Sequence, residues 1–290
     1  MFLPKRVVEE KLRRFLEDDV GLGDVTTYLT TPKNVTVEAE VVAKGSGLVA
    51  GIEETLILCE SLELEAKGLV SDGAQVKPKT PIMHIVGDAR TLLSAERTLL
   101  NILTRMSGIG TATNRLVSKV RAAGYKTRVA CTRKVAPGLG YFDKKAVLLG
   151  GGDTHRLHLD DLILIKDNHI RIAGSLSDAL RSARETSSLF KKIEVEVASA
   201  ESASEAARAG AEIVMLDNFS PAEVKKAVSL LIREGVRERV LLEASGGVNE
   251  GSILEYAAAG VDVVSVGEIT HSVKALDMSL EVVKVRRTKK

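Results

Sequence analysis

Apolar residues recur at helical spacing near the start of the chain, where Val8, Leu12, Phe15 and Leu16 share one face of residues 5–19. That run ends in a glycine-punctuated turn, Asp19 to Thr27, in which Asp24 and Thr26 read as turn and cap residues. Residues 34–44 alternate apolar and polar as a half-buried strand does, and 52–62 return to helical spacing. From Gly68 to Val86, short strands separated by Asp-Gly and Lys-Pro turns predict a compact β-module. Lys79 there stands between two prolines rather than at a symmetric hairpin tip, which speaks against a lipoyl- or biotinyl-type attachment site. A long helix is predicted from Ser94, with Leu99, Leu100, Leu103 and Met106 on its buried face and a weak or bent point at Gly108 and Gly110.

After that helix the pattern changes. Strand-like runs recur at 127–131, 162–166, 193–198, 212–216, 239–243 and 261–266, with helices such as 200–209 and 221–233 between the later ones. Alternating β and α units of this length imply parallel strands. Six runs fall short of eight. The expected architecture is therefore α/β: an irregular, incomplete α/β barrel over 106–272, preceded by a smaller α/β sandwich domain over 1–105. The tail, 275–285, alternates again, so the segment 273–290 is expected to return a strand to the first domain.

Composition narrows the function classes. A net charge of +2 on 290 residues argues against nucleic acid or a membrane surface as partner, and no apolar run reaches the ~20 residues of a membrane helix. Cys59 and Cys131 form no disulfide framework and no metal spacing, as expected of a reduced, cytoplasmic protein. Met1-Phe2-Leu3-Pro4 runs straight into a charged helical pattern, so no secretory leader is expected.

Positive charge is nevertheless concentrated. Residues 128–171 hold eight Lys/Arg and three of the five histidines, placed at strand ends and beside glycines. Arg133 and Lys134 follow one apolar run, His155 and Arg156 follow Gly150–Gly152, and Lys166 closes a second run. Such placement gathers cations around a small anion. Strand 193–198 sets Glu194 and Glu196 on one face and Val195 and Val197 on the other; if the valines pack on helices, both carboxylates point inward. Asp217 and Glu243 are expected at the ends of the next two strands. Ser245-Gly246-Gly247 and Ser265-Val266-Gly267 are candidate phosphate loops late in the chain. Phosphoribosyl pyrophosphate with an acidic co-substrate satisfies all of these groups, the carboxylates holding the ribose diol and a Mg²⁺ carried by the pyrophosphate. A purely structural Lys–Glu network is the competing reading.

The segments EDDVGLGDVTT, SAERTLLNILTRMSGIGTAT, TRKVAPGLG, GGGDTHR, LILIKDNHI, EVEV, MLDNF, EASGGV and VDVVSVGEITHS lie between residues 17 and 272. Together they resemble the quinolinate phosphoribosyltransferase family (carboxylating nicotinate-nucleotide pyrophosphorylases). The resemblance implies transfer of phosphoribosyl to quinolinate with decarboxylation. It also implies Mg²⁺ and a homodimer or higher homo-oligomer with a shared active site. It places quinolinate on Thr132, Arg133, His155, Arg156 and Lys166, with Arg97 as an arginine contributed across subunits. It places phosphoribosyl pyrophosphate on Lys134, Glu196, Asp217, Ser245, Gly246, Gly247, Ser265, Gly267 and His271. Lys134, Lys166, Glu196 and Asp217 would carry catalysis, and Glu196 and Asp217 the metal, mainly through substrate.

Two departures stand out. Cys131 occupies a position where the family usually has Asp, and Val135-Ala136 replace a commonly hydroxyl-bearing pair. Two other functions are compatible with the architecture: a related phosphoribosyltransferase-like protein of molybdenum-uptake operons, and a catalytically silent phosphate-ligand binding protein.

Overall fold

The computed structural model describes residues 3–287; residues 1–2 and 288–290, which the pattern assigns to the ends of the first domain and of the tail strand, lie outside that range. The chain forms two compact units. One comprises the residues up to Ala112, Leu148–Gly150 and those from Val273 on; the other comprises Thr113–Val147 and Gly151–Ser272. Among the described residues no helix is long and apolar enough to cross a membrane.

In the first unit, α1 (Lys5–Val20) buries Val8 and Leu12. Asp24 caps α2 (Val25–Thr30), its Oδ1 accepting from the Thr27 N–H at 2.9 Å, which is the cap chemistry expected of it. Strand β1 (Val35–Ala43) buries every second residue from Val35 to Ala43. The short β2 (Gly47–Leu48), helix α3 (Ile52–Ser61) and strands β3 (Glu65–Gly68), β4 (Gln75–Val76) and β5 (Pro81–Asp88) follow.

Helix α4 (Ala89–Ala122) begins five residues before the expected Ser94. Asp88 accounts for this, because its carboxylate accepts from the Thr91 N–H at 3.0 Å and caps the first turn. The helix assignment also runs unbroken past Gly108 and Gly110. Gly108 serves close approach: a Cβ on it would overlap the carbonyl of Lys274.

The second unit alternates strand and helix. Its strands are β6 (Arg128–Ala130), β7 (Ile163–Ile165), β8 (Ile193–Val197), β9 (Ile213–Asp217), β10 (Leu241–Ser245) and β11 (Val263–Ser265). Helix α5 (Gly140–Leu149) lies between β6 and β7. Helices α6 (Asp167–Ala173) and α7 (Leu176–Thr186) lead to β8, and α8 (Ala200–Arg208) and α9 (Pro221–Arg233) follow β8 and β9. Helices α10 (Ile253–Ala258) and α11 (Glu268–His271) flank β11. Serines at 175, 199 and 220 cap α7, α8 and α9 through their side chains.

The six strands pair in parallel in the order β6-β11-β10-β9-β8-β7, and β6 adds one bridge from Ala130 to Asp153. No ladder joins β6 to β7 among the described residues, so the sheet is incomplete as a barrel. One strand is displaced from its expected place: β10 starts at Leu241 because Arg237–Arg239 form a 3₁₀ turn, pinned by Arg237 to the Val240 and Gly260 carbonyls and to Asp262. Glu243 is therefore the middle residue of its strand and not the last. The tail strand β12 (Met278–Arg287) pairs antiparallel with β1 and gives the first unit a sheet of order β12-β1-β5-β3.

Gly108 supplies a test of the close approach. Replacing it with Ala should gain ~1 kcal/mol in helix propensity but incur ~1–3 kcal/mol of overpacking. A net destabilisation of up to ~2 kcal/mol in denaturant unfolding is expected for Gly108→Ala. A raised unfolding midpoint would show that the 274–275 backbone moves aside freely.

Candidate active site at the carboxyl ends of the parallel strands

Parity along the parallel strands decides which side chains face inward. On β8, Val195 and Val197 are buried among apolar neighbours, as are Val214 and Leu216 on β9, Leu242 and Ala244 on β10 and Val264 on β11. The alternate positions form the other face: Glu194 and Glu196, Met215 and Asp217, Glu243 and Ser245, and Ser265. Register aligns them, with Glu196 opposite Met215 and Met215 opposite Glu243, then Asp217 opposite Ser245 and Ser245 opposite Ser265.

A cavity of about 520 Å³ opens at the carboxyl ends. Its lining brings together cations, Arg133 and Lys134 after β6, Arg156, and Lys166 after β7, with the carboxylates Glu196, Asp217 and Glu243. Strands β6 and β7 are opposite edges of the sheet, so lining one cavity requires the sheet to curl round it. Thr132, His155 and Ser245 also contribute to the wall. Lys166 is ion-paired with Glu196 across β7 and β8. Its backbone N–H donates to His169 Nδ1 at 2.9 Å, so His169 positions the base of that lysine. Arg156 is held below its ordinary pKa by burial and then by the like charge of Arg133, with Glu194 acting the other way. Two guanidiniums that repel each other in one lining favour an anion that both can grip.

The carboxylate oxygens of the lining suit a hard cation. Glu196 and Asp217 are half-buried carboxylates on neighbouring strands, and the Asp217 Oδ2 accepts from Asn218 Nδ2 at 2.8 Å. Mg²⁺ is commonly held by one or two carboxylates together with substrate phosphates, and these two residues fit that donor set.

Deep at the cavity His155 meets two buried carboxylates, Glu194 and Glu243; His155 was expected in the site, and Glu243 joins it in the lining. His155 Nε2 stands 3.3–3.4 Å from the two Glu194 oxygens and 3.6 Å from Glu243 Oε1. The composition is that of a metal site, but the other ring nitrogen argues otherwise. Nδ1 accepts the Arg156 N–H at 2.7 Å, so the proton of a neutral ring sits on Nε2; a ligating Nε2 would move that proton to Nδ1, against the amide. The trio holds protons instead. Burial, reinforced by the Glu194 charge and opposed by His155 and Ser265, pushes Glu243 up to about 7. Burial works against protonating His155, but the Glu194 hydrogen bond and the charges of Glu243 and Glu194 outweigh it and raise its pKa. Because Nδ1 is occupied, Glu243 is where the geometry leaves room for the additional proton.

The glycine loops follow β10 and β11. Gly246 and Gly247 both have positive φ, and a Cβ on Gly246 would overlap Asn218, whose own φ is +57° and whose N–H donates to the Ser245 carbonyl at 2.8 Å. Gly267 packs against His271, since a Cβ there would stand 3.2 Å from the imidazole. Thr270 Oγ1 donates to the Lys134 carbonyl at 2.9 Å and ties this turn to the cavity wall. Gly246, Gly247, Gly267 and His271 flank the cavity wall without lining it. Ser265 belongs to the strand and is buried, so its hydroxyl does not reach the wall. Arg97 lies on α4 in the first unit and is exposed.

Two family models match in succession: "Quinolinate phosphoribosyl transferase, N-terminal domain" over residues 24–107 and its C-terminal counterpart over 109–281. The chain belongs to the quinolinate phosphoribosyltransferase family. Among its relatives, a probable nicotinate-nucleotide pyrophosphorylase (carboxylating) of Methanocaldococcus jannaschii is 45% identical over 275 residues, covering 94% of this chain and 96% of that one. The Homo sapiens nicotinate-nucleotide pyrophosphorylase (carboxylating) is 36% identical over 84% of this chain and 82% of its own. A solved structure of the Francisella tularensis nicotinate-nucleotide pyrophosphorylase superposes with a TM-score of 0.87 at 38% identity, covering 97% of each chain.

In this family member, sequence reading missed Lys144, Asn218 and the roles of Glu194 and Glu243. Glu194 could have been found from the parity of β8, which already aims it inward; Lys144 lies on a helix and carries no motif signal.

The protonated trio predicts a pH slope in stability. A free Glu loses its proton near 4.5 and Glu243 in the fold near 7, so the folded state binds more protons between those values and stability falls as pH rises across them. Unfolding of the wild type should lose on the order of 1–3 kcal/mol between pH 5 and 8. Glu243→Gln should flatten that slope; an unchanged slope would place the proton elsewhere.

Proposed function

We propose that the chain transfers the phosphoribosyl group of 5-phosphoribosyl 1-pyrophosphate to quinolinate with loss of CO₂, giving nicotinate mononucleotide and pyrophosphate. The observation that carries this reading is one cavity lined by four cations, Arg133, Lys134, Arg156 and Lys166, together with Glu196 and Asp217. The names of the curated relatives support it.

Arg133 and Arg156 grip the two carboxylates of quinolinate and aim its ring nitrogen at C1 of the ribose. As the C1–O bond to pyrophosphate breaks, positive charge develops on the ribose and Glu196 or Asp217 stabilises it. Lys134 and Lys166 meet the charge appearing on the leaving pyrophosphate. Mg²⁺ held by Glu196 and Asp217, when bound, supplies compact positive charge for the same phosphates. Lys166 starts from its pair with Glu196, so the incoming anion offers it a second partner without moving it to a new place. With the ring nitrogen bonded to C1 the pyridinium draws electrons, the C–C bond to the 2-carboxylate breaks to release CO₂, and the electron pair left on ring C2 takes up a proton from water. The glycines at 246, 247 and 267, with Ser245 and His271, bind the 5-phosphate through backbone N–H groups and the imidazole. The reading includes a homodimer in which Arg97 of the partner subunit adds a cation to the dicarboxylate site; the exposure of Arg97 on α4 supports this.

Incubating the protein with quinolinate, phosphoribosyl pyrophosphate and Mg²⁺ should yield CO₂ and nicotinate mononucleotide in equal amounts. Neither product, with phosphoribosyl pyrophosphate still bound, would leave a phosphate-ligand binding protein instead. Arg156→Ala should raise the KM for quinolinate at least tenfold and leave that for phosphoribosyl pyrophosphate within about threefold, a loss of ~1.4 kcal/mol or more confined to one substrate. Equal losses for both substrates would show that the ligand assignment is wrong.

A further inference from the structure

Asn218 follows β9 directly and lines the cavity beside Asp217, yet the reaction above gives it no part. Its φ of +57° is left-handed, a region in which asparagine is enriched for backbone reasons alone. Its side chain goes further than that. The backbone N–H donates to the Ser245 carbonyl at 2.8 Å and fastens the end of β9 to the end of β10. The carboxamide then lies between two groups with separate duties. On one side Nδ2 donates to Asp217 Oδ2 at 2.8 Å. On the other it fills the space beside Gly246, where a Cβ would stand only 2.7 Å from Asn218 Cγ.

Chemistry fixes which way the amide points. Nδ2 towards Asp217 turns a donor to a carboxylate, whereas the flipped amide would set oxygen against oxygen. An aspartate at the end of a strand can rotate about both side-chain torsions. A donor held on Oδ2 selects one rotamer and leaves Oδ1 for a ligand. Gly246, with a φ of +94°, opens the turn assigned to the 5-phosphate. One carboxamide therefore touches the carboxylate at the ribose end and the backbone at the phosphate end.

We propose that Asn218 is a positioning residue: its carboxamide fixes the Asp217 carboxylate against the Gly246–Gly247 turn and so sets the distance between the ribose and 5-phosphate ends of the phosphoribosyl site. This rests on the phosphoribosyl pyrophosphate half of the function proposed above. A ribose 5-phosphate must meet both ends at once, and a misplacement of about 1 Å between positioned groups can cost about a hundredfold. Quinolinate is assigned to Arg133 and Arg156, which come from the chain between β6 and β7, so the effect falls on one substrate.

Asn218→Gly separates backbone from side chain, because glycine keeps the left-handed turn and removes the carboxamide. Asn218→Asp keeps the shape of the side chain and loses the donor. Calorimetric titration with phosphoribosyl pyrophosphate and Mg²⁺ reads the effect without turnover. Both variants should bind it about tenfold or more weakly than the wild type. At saturating phosphoribosyl pyrophosphate their KM for quinolinate should change less than about twofold, and Asn218→Gly should unfold within about 3 °C of the wild type. Wild-type affinity in both variants would overturn the proposal while the function stood. Equal weakening for both substrates, or a large fall in the unfolding midpoint of Asn218→Gly, would overturn it by showing a merely structural role. A wild type that binds no phosphoribosyl pyrophosphate would overturn the reading and the proposal together. If quinolinate yields no CO₂, the reading fails, and the two binding ratios still decide the proposal.

Discussion

Period-two alternation along the parallel strands of the second unit is the constraint on which the site depends. Each of β8, β9 and β10 turns apolar residues to one face, and each thereby turns acids to the other. A slip of one residue in any strand would bury its valines in the cavity and drive Glu196, Asp217 or Glu243 into the apolar layer. Covering the outer face with helices therefore sets the charge pattern of the inner one. The same registers set depth, with Asp217 and Ser245 at one level and Glu196, Met215 and Glu243 at the next.

Depth separates two kinds of charge. Arg133, Lys134, Lys166, Glu196 and Asp217 stand near the mouth, where water and substrate can solvate them. Lys144, Glu194 and Glu243 are buried, Glu243 within the cavity lining itself, and a bare charge there is expensive. The fold meets that cost by local means: carbonyl oxygens for Lys144, and the imidazole and a retained proton for the glutamates. The left-handed residues His155 and Asn218 sit where these layers meet. Strain collects at a substrate-facing loop because the groups beneath it are strong enough to hold it there.

Much of the upper layer was legible in the chain itself. Cations after apolar runs, acids alternating with valines and paired glycines after late strands are local patterns, and Arg133, Lys134, Arg156, Lys166, Glu196 and Asp217 do meet at one cavity. Errors came where local pattern and packing compete. Asp88 capped α4 earlier than its apolar stripe suggested, the Arg237 turn shifted β10 by two residues, and Gly108 also marks a close backbone approach that its helix pattern did not signal.

Sequence alone determined the alternation of strand and helix, the inward facing of the acids and the concentration of cations at strand ends, because these follow from spacings of two and of three to four residues. It could not assign Lys144, since a lysine on a helix looks the same whether it is solvated or turned beneath a loop. Nor could it show that His155 is engaged at both nitrogens, because its partners come from Arg156 beside it, from β8 and from β10. Those contacts are decided by the curl of the sheet, which brings β8 and β10 to one imidazole ring, a reach that only tertiary packing can span.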